Sequence, residues 1–469
     1  MNFFDYFYEI SAISRPSGDC KAIADYLCAF AEKHSLKYQR DNMDSVIIFK
    51  PATEGYEDKP AFMLQGHTDM VCCTEEGVDW DFSKGIKVLS DGEWLTADGT
   101  TLGADNGIAV AYMMAILADD TIPHPALECV FTSDEETGLY GADAIDLSDC
   151  KAKYLINLDS EEEGIITAGC CGGLTMNISF NGEKEYVPGD VYKLTMSGFR
   201  GGHSGVNIDN FVEVRYNAII TAVHPLKLAC ETPSYRLVSM NGGEKDNAIA
   251  RNMSIVLCGG DFEKVREAAE LVTPGIKEIE KDAVVTVEKI SDEGAYAFSR
   301  EFTDTIIGYF NGIPNGVLDR IPDEPGLPPS ISDNFGVVTT EGDTVNATVS
   351  FRAYDDSYRD RYSEKVAEES RKCGAEVTVK GKYPGWERAA VSPLRDKMCQ
   401  IWNEMTGEEM KVQRIHAGLE CGVLIAKKPE LDAVSIGPEM SGVHTPDEKL
   451  SVASANRCYD FICEVLKSI

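Results

Sequence analysis

The chain has 469 residues, more than one hydrophobic core usually organises, so two domains or one domain with a large insertion are expected. With 44 basic against 78 acidic residues the net charge is −34, which repels phosphate backbones and anionic lipid and so excludes nucleic acid and membrane surfaces as partners. The 15 cysteines are odd in number and form no C-x-x-C pair, which argues against a disulfide framework or a thiolate zinc site and for a reducing cytoplasm.

In chain order, Phe3, Phe7 and Ile10 fall at helical spacing and predict an amphipathic first helix rather than a signal peptide, which would need a basic start and a cleavage site. A second helix follows Pro16-Ser-Gly18, with Ile23, Tyr26, Leu27 and Phe30 on one face. Val46–Phe49 and Ala61–Leu64 read as strands, Asp105–Leu117 as a helix, and Leu127–Phe131 and Tyr154–Leu158 as further strands. Such alternation predicts an α/β layer fold. Near residue 186 the texture changes to alternating strands (Val191–Met196, Thr344–Phe351) mixed with helices (Phe262–Leu271, Tyr362–Cys373), which reads as α+β. After about residue 385 the first texture returns, with a helix at Leu394–Trp402, a short strand at Ala433–Ile436 and a terminal helix at Val452–Leu466. The expected organisation is an α/β domain formed by residues 1–186 and 385–469, split by an inserted α+β lid domain at 187–384.

Polar chemistry collects where apolar strands end. Phe62-Met-Leu-Gln-Gly-His67-Thr-Asp69 delivers an imidazole and a carboxylate to the same side of an extended backbone. Asp105 stands at the junction of a glycine-punctuated loop and a helix, where an ordinary N-cap is the simpler reading. Glu135 and Glu136 follow a strand directly; neighbouring carboxylates repel unless a cation sits beside them, and one can then ligate while the other works as acid and base. A solvated turn is the alternative. Asp159 ends another strand, and His444 lies in a Gly/Pro-rich loop before the last helix. Sites in open α/β sheets form at the carboxyl ends of strands. Together His67, Asp105, Glu136, Asp159 and His444 offer five mixed nitrogen and oxygen ligands, which suit two divalent ions about 3.5–4 Å apart better than one zinc.

At these residues the sequence resembles the di-zinc exopeptidases of the aminoacylase/carboxypeptidase clan, and within them the bacterial aminoacyl-histidine dipeptidases. The motifs are Ser14-Arg-Pro-Ser-Gly18, Gly66-His-Thr-Asp-Met-Val71, Thr101-Leu-Gly-Ala-Asp-Asn-Gly107, Ser133-Asp-Glu-Glu-Thr-Gly138, Asn157-Leu-Asp-Ser160, Gly201-Gly-His-Ser-Gly205 and Ile436 to His444. The resemblance implies a phosphorylase/hydrolase-like catalytic domain holding two Zn2+ per chain, with Mn2+ or Co2+ as substitutes. It implies that Asp105 bridges the metals, that His67 and Asp159 complete one, and that Glu136 and His444 complete the other. Asp69 would brace His67, and Glu135 would be general base and acid toward a water between the metals. A cis peptide would follow Asp105. His203 would polarise the scissile carbonyl, and Asn247 and Arg352 would hold the peptide and its terminal carboxylate, although a surface strand arginine is the plainer reading of Arg352. Ala250, where relatives often have proline, departs from the pattern without touching a ligand.

The expected function is hydrolysis of dipeptides of Xaa-His type, including β-alanyl-histidine, by a cytoplasmic homodimeric metallopeptidase. Another amide hydrolase of the clan, a tripeptidase or an N-acyl amino acid deacylase, is the alternative, and a non-catalytic ion-binding homologue a more distant one. His416 is a further candidate for the substrate cleft, while His124 and His224, each before a proline, read as turn residues.

Overall fold

A computed structural model describes residues 1–208, 214–229, 234–322 and 328–468. The chain forms two compact units, one of Met1–Cys170, Trp386–Ile415 and Leu419–Ile469, the other of Cys171–Gly385 and His416–Gly418. Among the described residues no helix is long and apolar enough to cross a membrane.

The first unit is built on an eight-stranded sheet in the order Lys37–Arg40, Val46–Lys50, Leu127–Thr132, Phe62–His67, Tyr154–Asn157, Asp432–Ser435, Ile165–Cys170, Lys411–Ile415. Three central neighbours, Leu127–Thr132, Phe62–His67 and Tyr154–Asn157, run parallel. They are almost wholly buried, as expected for strands covered on both faces. Parallel alignment brings their carboxyl ends to one edge, with His67 opposite Thr132 and Gln65 opposite Asn157. Helix Ala104–Ala118 is buried along nearly all its length. An all-round apolar sequence of this kind makes a core helix rather than an amphipathic surface one. Helix Phe3–Ser11 packs Phe3, Tyr6, Phe7 and Ile10 into the same core, and a reciprocal Asn2–Asp5 capping box starts it.

The second unit centres on a sheet with nine strands among the described residues. Its main path runs Val284–Ser291, Val191–Ser197, Met253–Cys258, Arg236–Gly242, Pro329–Glu341, Thr344–Ala353, Gly172–Asn181, Ala375–Tyr383, and Gly316–Arg320 pairs with Pro329–Glu341. Every pairing in it is antiparallel. Inward residues such as Leu174, Met176, Ile178 and Phe180 form its core with helices Ala218–Ala229, Phe262–Ile279 and Arg300–Gly312. His224 is not in a turn: it lies inside helix Ala218–Ala229, which carries Pro225. Burial of Ala218, Ile219, Ala222, Val223 and Leu226 at helical spacing outweighs the backbone hydrogen bond that proline removes.

Candidate metal centre

The parallel strands of the first unit bring the expected ligands together. His67 ends its strand fully buried. Its Nδ1 lies 3.1 Å from the Asp69 carbonyl and 3.4 Å from Asp69 Oδ1. That contact leaves Nε2 as the outward nitrogen, 3.2 Å from Asp105 Oδ1 and 3.5 Å from Asp159 Oδ1. The other oxygen of Asp105 lies 3.0 Å from His444 Nε2, which is 2.8 Å from Glu136 Oε1. Two three-residue sets result, His67–Asp105–Asp159 and Asp105–Glu136–His444, each with ligand atoms within 4.8 Å of one another, and Asp105 belongs to both. Glu135 falls in a third set with His67 and Glu136.

The backbone around Asp105 is held from several sides. The Asp105–Asn106 peptide is cis, and both residues depart from helical geometry inside Ala104–Ala118. Asn106 Nδ2 donates to the Leu158 carbonyl and to Asp159 Oδ1, both at 2.8 Å. The buried Glu448 carboxylate accepts the backbone N–H groups of Leu102, Gly103 and Asp105 at 2.8, 2.9 and 3.2 Å. Buried Arg15 donates to the carbonyls of Thr68, Asp69 and Gly103. Gly103 sits at φ +68°, and a Cβ there would come within 2.6 Å of Arg15 Nη2, so both backbone angle and the arginine require glycine. Asp69 accepts from Ser17 Oγ at 2.8 Å and from the backbone N–H groups of Glu135 and Glu136 at 3.1 and 3.3 Å. Burial alone would raise the Asp69 pKa, but the bonds from His67, Ser17 and Glu135 lower it below the ordinary value, so it is an anion that orients His67.

The electrostatics describe a centre short of positive charge. Burial pulls the His67 pKa down, yet Asp159, Asp105 and Asp69 together lift it well above that of free imidazole. His444, half exposed, is also lifted, to about 11, by Asp105 and Glu136. Burial, then Asp105 and Glu136, raise the pKa of Asp159 against the pull of His67. Glu136 Oε1 is buried and lies 2.8 Å from His444 Nε2. Protons on two imidazoles thus neutralise the carboxylates where divalent cations would do so more fully, and the oxygen and nitrogen donors suit such cations.

In the second unit, His203 lies beside Arg352, and the backbone of Asn247 runs next to His203. Strand pairing sets His203 opposite Ala248, next to Asn247, whose carbonyl accepts from Ser204 N–H at 2.8 Å. Arg352 is a buried residue, not a surface one; its Nη1 donates to Tyr383 Oη at 2.8 Å and its Nη2 lies 3.4 Å from His203 Nε2. His203 Nδ1 accepts backbone N–H groups from Gly205 and Val206 at 3.3 and 3.1 Å. That sets the tautomer: Nε2 carries the proton. Two N–H groups therefore face each other, a pair that favours an oxygen anion. A Cβ at Gly205 would meet the His416 carbonyl at 2.2 Å and His203 Cε1 at 3.0 Å, so glycine lets this loop close.

His416 is buried between Cys171 Sγ, 3.1 Å from Nδ1, and Ser332 Oγ, 2.7 Å from Nε2. Burial, then Arg352 and His203, push its pKa from 6.5 down to about 3. Between those values the unfolded chain binds a proton that the folded chain refuses, so stability rises with pH across the window and falls on acidification. Denaturant midpoints of the wild type are expected to drop between pH 7 and 5, and those of His416→Gln to drop less. Parallel slopes would show that His416 does not carry the acid sensitivity.

Arg15, Glu448 and Asn106, which shape the site, and the fully buried Glu420 are residues to which sequence reasoning assigned no role. Of these only Glu420 leaves a local trace, a carboxylate set in the apolar run Leu419-Glu-Cys-Gly-Val-Leu-Ile425.

Residues 63–468 match the sequence profile of Peptidase family M20/M25/M40. The chain is 34% identical to the cytosol non-specific dipeptidase of Escherichia coli K12, over 99% of this chain and 97% of that one. The crystal structure of the aminoacylhistidine dipeptidase from Vibrio alginolyticus superposes with a TM-score of 0.85 at 34% identity, covering 100% of this chain and 96% of that one. The aminopeptidase PepT of Bacillus cereus shares the fold at 16% identity, with a TM-score of 0.58 over 99% and 97% of the two chains. The chain therefore belongs to peptidase family M20/M25/M40 and is a metal-dependent peptidase.

Proposed function

We propose that the chain hydrolyses dipeptides, Xaa-His dipeptides such as β-alanyl-histidine among them, at a centre for two zinc ions that manganese or cobalt can replace. The observation that carries this reading is Asp105, whose two oxygens face His67 and His444 and so join two ligand sets at one carboxylate. The names of the two full-length relatives, one a non-specific and one an aminoacylhistidine dipeptidase, support a dipeptide substrate with Xaa-His within its range. In this reading the enzyme is cytoplasmic, as the relative called a cytosol dipeptidase is, and a homodimer that sedimentation would test.

His67, Asp105 and Asp159 would hold one cation, and Asp105, Glu136 and His444 the other. Bound there, the cations supply Lewis-acid polarisation of a carbonyl and a lower pKa for water. Asp69 keeps His67 Nε2 turned outward through its contact with Nδ1. Glu135 receives the proton released when water adds to the peptide carbonyl and passes it to the departing amine. Its pKa is raised well above that of an ordinary glutamate, by burial first and then, against His67, by Asp159, Glu136 and Glu420, which makes it a better proton acceptor than an exposed glutamate. His203 Nε2–H donates to the carbonyl oxygen as it gains charge, and Arg352, with Asn247, receives the terminal carboxylate.

Chelator-stripped protein titrated with zinc, manganese and cobalt against dipeptides, tripeptides and N-acyl amino acids tests the reading. Activity is expected to vanish on stripping, to return with two equivalents of metal, and to favour dipeptides. Preferential cleavage of tripeptides or acylated amino acids would replace the substrate assignment.

A further inference from the structure

Behind the ligand-bearing strand ends lies a set of buried polar side chains that neither hold a cation nor move a proton in the chemistry above. Gln65, Thr132 and Asn157 come one from each of the three parallel central strands, and Glu420 comes from helix Glu420–Lys427; all four are fully buried. Glu420 Oε2 accepts from Gln65 Nε2 and, at 2.7 Å, from Thr132 Oγ1. Gln65 Nε2 also donates to Thr132 Oγ1 at 3.1 Å, and Gln65 Oε1 accepts from Asn157 Nδ2 at 2.6 Å. Glu420 Oε1 and Asn157 Oδ1 make no hydrogen bond.

The spacing gives this rung its meaning. Gln65 stands two residues before His67 and Asn157 two before Asp159, so in an extended chain each points to the same side as its ligand. Thr132 is the register partner of His67 and the last strand residue before Ser133-Asp-Glu135-Glu136. A sideways shift of any one strand end would move one ligand against the others, and the rung ties all three ends together. A buried carboxylate costs stability unless its bonds return it. That cost falls here at the strand ends, where three segments must agree in position.

We propose that Glu420 is a positioning residue of the metal centre, acting through Gln65, Thr132 and Asn157 to hold the strand ends that carry His67, Glu135, Glu136 and Asp159. The inference rests on the reading of that centre as a two-cation site, and metal binding itself separates the two. Stripped full-length protein is titrated with Zn2+ by calorimetry and with Co2+ by absorption, for the wild type, Glu420→Gln, Glu420→Ala and Gln65→Met. Glutamine can keep both accepted bonds with its oxygen and place its amide nitrogen where the unbonded oxygen lies, so Glu420→Gln is expected to bind as the wild type does. Glu420→Ala and Gln65→Met are expected to bind about 10–100-fold more weakly. The double variant should lose no more than the worse single one, since both cut the same link. If the wild type takes up no metal, the two-cation reading falls. If it binds and Glu420→Ala binds equally well, the positioning role falls. An equal loss in Glu420→Gln and Glu420→Ala would overturn the hydrogen-bonded mechanism in favour of charge alone. Should Glu420→Ala not fold, Gln65→Met decides, because it cuts the rung without removing a carboxylate.

Discussion

Glu135→Gln is expected to retain its cations and to cleave dipeptides about 10²–10⁴-fold more slowly than the wild type. Two features separate Glu135 from the residues that would hold metal. Neither of the two sets that share Asp105 includes it. Its backbone, moreover, is fixed independently of its side chain, because its N–H donates to Asp69 Oδ1 at 3.1 Å. Glutamine preserves shape and that backbone bond while removing the ability to accept and return a proton. The competing assignment is also in the geometry, since Glu135 lies with His67 and Glu136 in a third set compact enough for a ligand. If that set held a cation, Glu135→Gln would lose metal together with activity. Metal content by elemental analysis beside kcat therefore decides, and wild-type turnover in the variant would reject Glu135 as the base.

How much of this could be read without coordinates depended on whether the information was local. A strand that runs into His67, Glu135 or Asp159 advertises itself, because apolar run and polar terminus are contiguous and parallel strands must end at the same edge. Elements with strong periodicity were equally legible: helix Phe3–Ser11 buries the Phe3, Phe7 and Ile10 stripe. The start of the second unit was harder to see. Strand Gly172–Asn181 already belongs to it, yet begins with two glycines and alternates only from Leu174 on, so the visible change of texture near residue 186 trails it. Arg15, Glu448 and Glu420 were not assigned a role, since each acts on segments far away along the chain and nothing nearby marks the partner. His224 shows the opposite limit, where a local proline signal was overruled by the burial of a whole helix face.

For His203→Ala the expected loss is about 10²–10³-fold in kcat, with both cations retained. Retention follows because His67, Asp105, Glu136, Asp159 and His444 all belong to the first unit, whereas His203 belongs to the second, where it meets Gly205, Val206, Asn207 and Arg352. The rate loss follows from the tautomer. Nδ1 is committed to two backbone N–H groups, so the imidazole has a single proton to offer, on Nε2, at the nitrogen that Arg352 approaches. A donor aimed at developing negative charge helps the transition state more than the ground state, so kcat should fall further than KM rises. Alanine also deprives the Gly205 and Val206 N–H groups of their acceptor, and a distorted loop could imitate the loss of a donor. His203→Asn separates the two causes. Asparagine can accept from the backbone two residues on, as in an Asx turn, yet carries no donor at the distance of Nε2. If the donated proton matters, the asparagine variant is as slow as the alanine one; if it regains wild-type turnover, the imidazole serves only to shape its loop. Loss of cations from either variant would instead place His203 among the ligands and undo the division of roles between the two units.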